Sequence, residues 1–495
     1  MSIAEQMGNT LQRTSISTSI KERLDFSCAI FSPTGKLVAN APHIPIHLGS
    51  MQYAIQYQHN LWAGKLKPGD VLLTNHPECG GTHLPDLAAV MPVFVGRRIA
   101  FYVAARGHHT DIGGKGITSM MPDSKELWEE GLSVRSMKIV DSGVFLEEDV
   151  RAVLIRAGDF PGCSPTRRLD DNISDIKAQI SSNQREIHLQ KLCEEFTLPV
   201  VHLYMNAIQS SAEIAVREFH KQVAQTHPEP LTGVDYFDDG KITIDPRTGS
   251  AVYDFSGTGP QMWGNFNCPI SITHSAVIYT TRCPIDADIP LNDGCLAPID
   301  IQIPNGSVLP PSSAVAICGS TLASQRVIDA IRVHSAAVPP SAEPGWNYGE
   351  TVSGGCGAGP TWHGESVTQT HSTNTRGNDP EVIEKRTPVL VREIAINRRS
   401  GGKGLFNGGD GATRLIEARI PLKFSILSDR RVIAPYGMNG GRPGSVGKNF
   451  VYRWNEDRTN FERMSLGGKA ALSLDAGEMM EISSPGGGWG VPVSE

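Results

Sequence analysis

The chain lacks the sequence features that mark a secreted, membrane-spanning or nucleic-acid-binding protein. Its nine cysteines are scattered without a CxxC pair. Because no secretory leader pattern is visible either, we expect reduced thiols in a cytosolic protein, without disulfides or a zinc–thiolate cluster. No apolar run approaches the roughly 20 residues that a membrane-spanning helix needs. A net charge of −7 and a pI near 6.1 give no basic footprint for nucleic acid.

Two common catalytic motifs are also missing. The segment nearest to a Walker A loop is GRPGSVGKN (441–449), which has the wrong glycine spacing and no Ser or Thr after its lysine. No GxSxG nucleophile elbow occurs in the chain. The sequence therefore predicts neither an ATP site of the P-loop kind nor a serine hydrolase of the α/β type.

The residue patterns favour an α+β protein whose character changes near residue 230. Before that position, β-hairpin signals alternate with helical periodicity, and beyond it short strands and glycine turns dominate. The predicted helices span residues 1–24, 49–63, 166–196 and 199–224. We therefore expect a mixed α/β region with β-hairpins and a helical pair at 1–230, and a β-rich region of the same unit at 231–495.

Histidine and aspartate residues concentrate in two segments that face each other across a predicted hairpin. These are NHPECGGTHLPDLAAV (75–90) and AARGHHTDIGG (104–114). With a three-residue loop at 96–98, Asp86 would lie directly opposite His108, with their Cβ atoms roughly 5 Å apart. The hairpin therefore predicts that side chains from both segments converge.

The types of side chain in these segments suit a divalent metal. His83 lies just before the strand that begins near Asp86, so it can join Asp86 and His108 around one ion. Two imidazoles and one carboxylate are a ligand set for manganese, zinc or iron that leaves positions open for water and substrate. The alternative is that these are hydrogen-bonded polar residues of a tight loop. We expect a divalent metal site formed by His83, Asp86 and His108.

Further polar residues accompany the predicted ligands. His76, His109 and Asp111 are expected to surround the ligands and orient them, the alternative being that they bind the metal themselves. His109 and Asp111 are also candidates for catalytic proton transfer, since histidine titrates near neutral pH. His43 and His47 are four residues apart with a proline between them. Both roles stay open for this pair, polar residues of an entry loop or members of a pocket.

A second polar region follows in GGCGAGPTWHG (354–364) and HSTNTRGNDPE (371–381). His363, Asn374 and Arg376 are predicted to bind substrate there, since a guanidinium offers two parallel donors to a carboxylate or phosphate. The alternative is a turned loop whose polar groups cap its own backbone.

These motifs, taken together, resemble the hydantoinase B/oxoprolinase family over nearly the whole chain. The resemblance runs through SIKERLDFSCAIF, NHPECGGTHLPDL, RGHHTDIGG, DFSGTGPQMWGNFN, HSTNTRGNDPE and SPGGGWG. It implies a metal held by a His-x-x-Asp pair and a later histidine, a pattern that falls on His83, Asp86 and His108. After SQRVIDA the chain departs from the family pattern, over residues 332–348.

The resemblance also implies an activity and a partner. It implies a hydrolase of cyclic amides that opens 5-oxo-L-proline to L-glutamate with ATP and water, in the glutathione cycle. ATP would be bound by a hydantoinase A-like subunit or domain with an actin-like fold, and the present half would belong to an oligomer. The alternatives are a related hydantoinase or ketone-carboxylase subunit, and a non-catalytic remnant or assembly subunit.

Overall fold

The computed structural model describes most of the chain as an α+β fold. The described residues are 2–116, 120–226, 231, 233–237, 240–247, 250–287, 289–309, 311–332, 341–344, 350–359, 361–371, 373–437 and 440–488. Two compact units are present, one of Met1–Gly116, Lys125–Gly233 and Thr243–Ser324, the other of Ile117–Ser124, Val234–Ile242 and Gln325–Glu495. The expected α+β class with a β-rich C-terminal region is confirmed, and the boundary near residue 230 stays a prediction.

A seven-stranded antiparallel sheet forms the centre of the first unit. Its strands are β1 (Phe26–Phe31), β2 (Leu37–Asn40), β3 (Val71–Thr74), β4 (Asp86–Val95), β5 (Arg98–His108), β6 (Met137–Asp141) and β7 (Val144–Phe145). They are ordered β2-β1-β5-β4-β3-β6-β7, so the β4–β5 hairpin is central. Both faces of the sheet are covered by apolar side chains, which explains why β4 is almost continuously buried.

Helices pack on both faces of this sheet. They are α1 (Ser2–Thr14), α2 (Thr18–Lys21), α3 (Pro45–Leu61), α4 (Glu147–Ile155), α5 (Leu169–Asn183), α6 (Ile187–Phe196) and α7 (Leu198–Thr226). Another helix, α8 (Ile270–Arg282), packs on α3. Side chains alternate along β5, so Phe101 and Val103 join the core that also contains Ile173 of α5. Tyr102 and Ala104 join the core that contains Ile55 of α3.

Two of the predicted helices are interrupted. The helix expected over 1–24 breaks between α1 and α2, where the Ser17 side chain caps the second helix. The helix expected over 166–196 divides into α5 and α6 around a 3₁₀ turn at Gln184–Glu186. The predicted break near Pro199 is confirmed at Thr197, whose φ of 66° ends α6.

The remaining elements are mainly strands. A further sheet has the order β11-β10-β9-β8 and comprises β8 (Gly233–Phe237), β9 (Gly240–Arg247), β10 (Ala251–Asp254) and β11 (Ile299–Gln302). Two helices follow in the sequence, α9 (Ser320–Arg332) and α10 (Pro380–Arg386). In the described part of the chain, no helix is both long and apolar enough to cross a bilayer.

The second unit contains two antiparallel sheets. The first has the order β13-β12-β16-β19, and the second has the order β14-β15-β20-β17-β18. Their strands are β12 (Ser341–Pro344), β13 (Glu350–Thr351), β14 (Val389–Asn397), β15 (Gly411–Ala418), β16 (Leu422–Leu427), β17 (Lys448–Trp454), β18 (Phe461–Ser465), β19 (Lys469–Leu474) and β20 (Met479–Ser483). Apolar side chains of both sheets form one core. Most of the divergent segment at 332–348 lies outside the described residues.

Buried histidines of the first unit make stability depend on pH. Burial lowers the pKa of His43, His76, His220 and His274 from 6.5 to about 4. At pH values between the folded and unfolded pKa of these rings, the unfolded chain therefore binds more protons than the folded chain. Each ring that stays neutral in the folded chain lowers the free energy of unfolding by about 1.4 kcal/mol for each pH unit by which the pH falls. We expect a steep loss of stability from about pH 6.5 to about pH 4, measurable by urea unfolding at several pH values.

A single substitution isolates one of these rings. Within the described residues, neither ring nitrogen of His220 has a hydrogen-bond partner, and its ring is close to those of Phe219 and Tyr253. In His220→Phe, the slope of the free energy of unfolding against pH should therefore decrease by the equivalent of about one bound proton between about pH 4 and about pH 6.5. An unchanged slope would contradict the assignment of a neutral, buried His220.

Candidate metal centre

The β4–β5 hairpin brings the predicted ligands together. Asp86, the first residue of β4, pairs directly with His108, the last residue of β5, which confirms the register predicted at this end. The three-residue loop predicted at 96–98 was wrong, because Arg98 already belongs to β5. A register shift between Val93 and Phe94 compensates for the shorter turn, so the pairing at Asp86 is the same.

Three buried side chains converge at this end of the hairpin. One ligand atom from each of His83, Asp86 and His108 lies within 4.8 Å of the others. His83 Nδ1 is 3.0 Å from Asp86 Oδ2, and His108 Nδ1 is 3.3 Å from Asp86 Oδ1. The two imidazole rings have centroids 5.0 Å apart. The predicted convergence of the three side chains is therefore confirmed.

The donor set fits a divalent cation. His83 Nδ1 is buried and makes no hydrogen bond of acceptable geometry among the described residues, although a buried polar nitrogen without a partner is costly. A cation between His83, Asp86 and His108 would use that nitrogen. Two imidazoles and a carboxylate suit manganese, zinc or iron, and the set does not choose among these metals.

Electrostatics keep the Asp86 carboxylate ionised. Burial alone would raise the pKa of this carboxyl group, but His83 and His47 nearby, with hydrogen bonds from His108 and His47, hold the pKa well below its usual range. The Thr82 hydroxyl also donates to Asp86 Oδ2. The site therefore offers a negatively charged ligand at neutral pH.

The pKa of the His108 ring shifts in the opposite direction to that of Asp86. Burial alone would lower the pKa of its ring, but Asp25 and Asp86 outweigh burial and raise the pKa above its usual value. Because a metal binds only a ring nitrogen that carries no proton, the raised pKa of His108 should weaken metal binding as the pH falls.

Hydrogen bonds of the Asn75 side chain hold the loop before β4 in place, and this loop carries His83. The Asn75 side-chain amide donates to Leu84 O at 2.6 Å and to Leu132 O at 2.7 Å, and its oxygen accepts from Val134 N at 2.6 Å. Asn75 thus bridges the two ends of the loop to a neighbouring segment. This arrangement orders the ligand-bearing loop without help from an ion.

His109 and Asp111 belong to a separate buried network against α5. His109 Nε2 is 3.0 Å from Gln179 Oε1, and Nδ1 is 3.4 Å from Asn172 Oδ1. Asp111 accepts from the Arg167 Nε and Nη2 groups at 2.8 and 2.9 Å. Burial alone would raise the pKa of Asp111, but Arg167 and two backbone N–H groups lower it. Their part in proton transfer stays a prediction.

The other histidines of the first unit differ in their surroundings. His76 Nδ1 accepts from the backbone N–H of Glu78 at 3.2 Å and so caps a short 3₁₀ turn. His43 Nδ1 accepts from Cys28 N at 3.1 Å. Because α3 begins at Pro45, His47 lies in the first helical turn and reaches Asp86. Of the pair left open by the sequence, His47 therefore contacts the cluster of His83, Asp86 and His108 through Asp86.

The residues predicted to bind substrate lie in the second unit. His363 Nδ1 accepts from the backbone N–H of Asn407 at 2.9 Å. The side chains of His363, Asn374 and Arg376 are exposed, so all three are accessible to a ligand. Their role in binding substrate stays a prediction.

Simple rules identify two buried neighbours of the predicted ligands, His47, whose role the sequence left open, and Arg106, which sequence reasoning missed. A proline favours the first position of a helix, so Pro45 could have placed His47 inside α3. Arg106 lies two residues before His108 on one strand and therefore on the same face. It is fully buried, donating to Ser50 Oγ at 2.6 Å and to Gly80 O at 2.9 Å. Arg106 therefore adds a positive charge beneath the site.

Known proteins resemble this chain over its full length. A family model described as hydantoinase B/oxoprolinase matches residues 1–492. The 5-oxoprolinase PfmaA of Pestalotiopsis fici is 66% identical, over 100% of this chain and 41% of that protein. 5-Oxoprolinase 1 of Arabidopsis thaliana is 48% identical, over 99% of this chain and 40% of that protein. The chain thus spans about two-fifths of the length of these curated relatives.

A solved structure shares the fold. The ATP-dependent caprolactamase from Pseudomonas jessenii superimposes with a TM-score of 0.85 over 99% of this chain and 89% of that chain. The two sequences are 21% identical. At that identity the likeness establishes a common fold and leaves the chemistry to be argued from the residues.

Proposed function

Since the chain belongs to the hydantoinase B/oxoprolinase family, we propose that it is the hydrolytic, metal-binding half of an ATP-dependent 5-oxoprolinase. This enzyme would convert 5-oxo-L-proline, ATP and water into L-glutamate, ADP and phosphate. The observation that carries the proposal is the buried convergence of His83, Asp86 and His108, on a chain that is 66% identical to a named 5-oxoprolinase. A hydantoinase A-like partner would supply the ATP site.

The chemistry explains why two halves are needed. Nitrogen donates into the carbonyl of a lactam and makes it a poor electrophile. In the partner half, the carbonyl oxygen would attack the γ-phosphorus and release ADP. Water would then add to the activated carbon, and the C–N bond would break with a proton going to nitrogen, which leaves an acyl phosphate. A second water would hydrolyse this acyl phosphate to the carboxylate and phosphate. The present half would carry the hydrolytic steps.

The residues of this chain have separate parts in that scheme. His83, Asp86 and His108 would hold the divalent ion, which when bound would supply Lewis acidity and lower the pKa of water. His109 would assist proton transfer, and its contacts with Asn172 and Gln179 would hold the ring in place. Asp111 is engaged by Arg167, so it would act on proton transfer by keeping this network in place.

The test is reconstitution with an ATP-binding half. The chain would be co-expressed with the hydantoinase A-like part of a relative, stripped of metal, and reloaded with manganese, zinc or iron. We expect glutamate from 5-oxo-L-proline only when both halves, ATP and a metal are present. Each half alone is the control.

Three other results would favour the alternative functions. Product formation that requires bicarbonate would indicate a carboxylase subunit. An active complex that opens other cyclic amides and leaves 5-oxo-L-proline intact would indicate a hydantoinase-type enzyme. A complex that forms without any metal or turnover would indicate an assembly subunit.

A further inference from the structure

His47 lies directly behind the carboxylate of the candidate metal centre. Its Nε2 is 3.0 Å from Asp86 Oδ2, and its Nδ1 is 2.9 Å from Ser27 Oγ. His47, Ser27 and Asp86 are all nearly inaccessible to solvent. Asp86 lies 39 positions further along the chain than His47, so this contact is made by the fold.

The surrounding hydrogen bonds determine the direction of each donor. Ser27 Oγ accepts from the backbone N–H of Ile44 at 3.2 Å, which leaves its own hydrogen free to be donated to His47 Nδ1. An ionised Asp86 can only accept, so His47 Nε2 carries the hydrogen between them. The order of donation therefore runs from Ile44 to Ser27, to His47 and to Asp86.

We propose that His47 is a positioning residue that orients the Asp86 carboxylate for the metal, with Ser27 fixing its tautomer. The inference rests on the metal centre of the proposed function. His47 and Thr82 both donate to Asp86 Oδ2, which also lies 3.0 Å from His83 Nδ1, whereas Oδ1 faces His108. Two donors on Oδ2 fix the rotation of the carboxylate, so that Oδ1 is directed toward His108 and Oδ2 stays beside His83.

His47 acts through Asp86 and is not a fourth ligand. Among the described residues, the group of mutually close ligand atoms contains His83, Asp86 and His108 but not His47. Its Nε2 is engaged by the carboxylate, and a ring nitrogen that donates a hydrogen cannot bind a metal at the same time. The orienting role and a ligand role therefore predict different behaviour of substituted proteins.

Two substitutions of His47 by amide side chains, glutamine and asparagine, distinguish an orienting role from a ligand role. In His47→Gln the side-chain amide can donate from nearly the position of Nε2, whereas in His47→Asn it reaches only the position of Nδ1. His43→Gln is the matched control, because His43 lies four residues earlier and its recorded hydrogen bond is with Cys28. Each protein would be made metal-free and titrated with Mn²⁺ and Co²⁺ against a competing chelator.

We expect His47→Asn to bind Mn²⁺ about 10- to 100-fold more weakly than the unaltered chain. His47→Gln should recover affinity to within about threefold, and His43→Gln should match the unaltered chain. The Co²⁺ absorption spectrum of His47→Gln should keep its band positions, because the ligand set is unchanged. The thermal midpoint of each metal-free protein shows that it is folded.

Three outcomes would overturn the inference. Unaltered affinity in a folded His47→Asn would show that Asp86 needs no such donor. A changed Co²⁺ spectrum in His47→Gln would make His47 a ligand. Absence of Mn²⁺ and Co²⁺ binding by the unaltered chain would reject the metal centre itself. If the unaltered chain binds metal normally but forms no glutamate with its ATP-binding partner, that result would count against the proposed reaction alone.

Discussion

Alanine at both His83 and His108 is expected to reduce bound metal to background and to lower glutamate formation by the two-half complex more than about a hundredfold. Loss of a residue that merely orients a ligand costs about 10- to 100-fold, so removal of two of three ligands should exceed that range. Asp86 would remain as one buried carboxylate, which is too few donors for a stable site. Elemental analysis and a glutamate assay measure the two effects.

The control for this double variant must also remove two imidazoles. His188 and His202 lie on α6 and α7 of the same unit, outside the ligand cluster. His188→Ala combined with His202→Ala should leave the metal content unchanged. Unchanged glutamate formation in a metal-free His83→Ala, His108→Ala protein would reject a catalytic metal, even though the three side chains converge.

Alanine at Gly81 is expected to destabilise the chain by about 3 kcal/mol or more. A Cβ atom built there would lie 2.0 Å from Asn75 O and 2.6 Å from Asn75 C. Both are backbone atoms of the segment that Asn75 fixes by its own hydrogen bonds, so the clash cannot be relieved by rotating a side chain. Urea unfolding measures the effect.

Gly264→Ala is the matched control for this clash. Nothing lies within 4 Å of a Cβ built at Gly264, and its φ is not in the left-handed region. This variant should unfold at nearly the same urea concentration as the unaltered chain. Equal unfolding midpoints for both glycine variants would show that the loop before β4 can move away from its neighbours.

The part of the candidate metal centre that lies on one hairpin could be predicted from sequence. Alternation along two adjacent strands determines which side chains face each other, so Asp86 and His108 followed from the hairpin alone. The loop length was wrong, and the pairing survived only because a bulge at Val93–Phe94 offsets the shorter turn. A bulge depends on side-chain packing around it, and the alternating pattern does not reveal it.

Contacts between distant segments could not be predicted in the same way. His47 reaches Asp86 across 39 positions, and His109 reaches Gln179 across 70. These two contacts depend on how α3 and α5 pack on opposite faces of the sheet. Local periodicity fixes which face of a helix is apolar, but it does not specify which residue of a sheet lies beneath a given turn.

The far end of the β4–β5 hairpin offers a place to attach a probe. Its turn at Gly96 and Arg97 is exposed to solvent, and about ten residues of β5, or roughly 34 Å of extended strand, separate it from the ligands. A fluorophore or a surface-immobilisation tag introduced there would be rigidly connected to the site yet remote from it. The protein could then be labelled or immobilised for metal titrations without altering any predicted ligand.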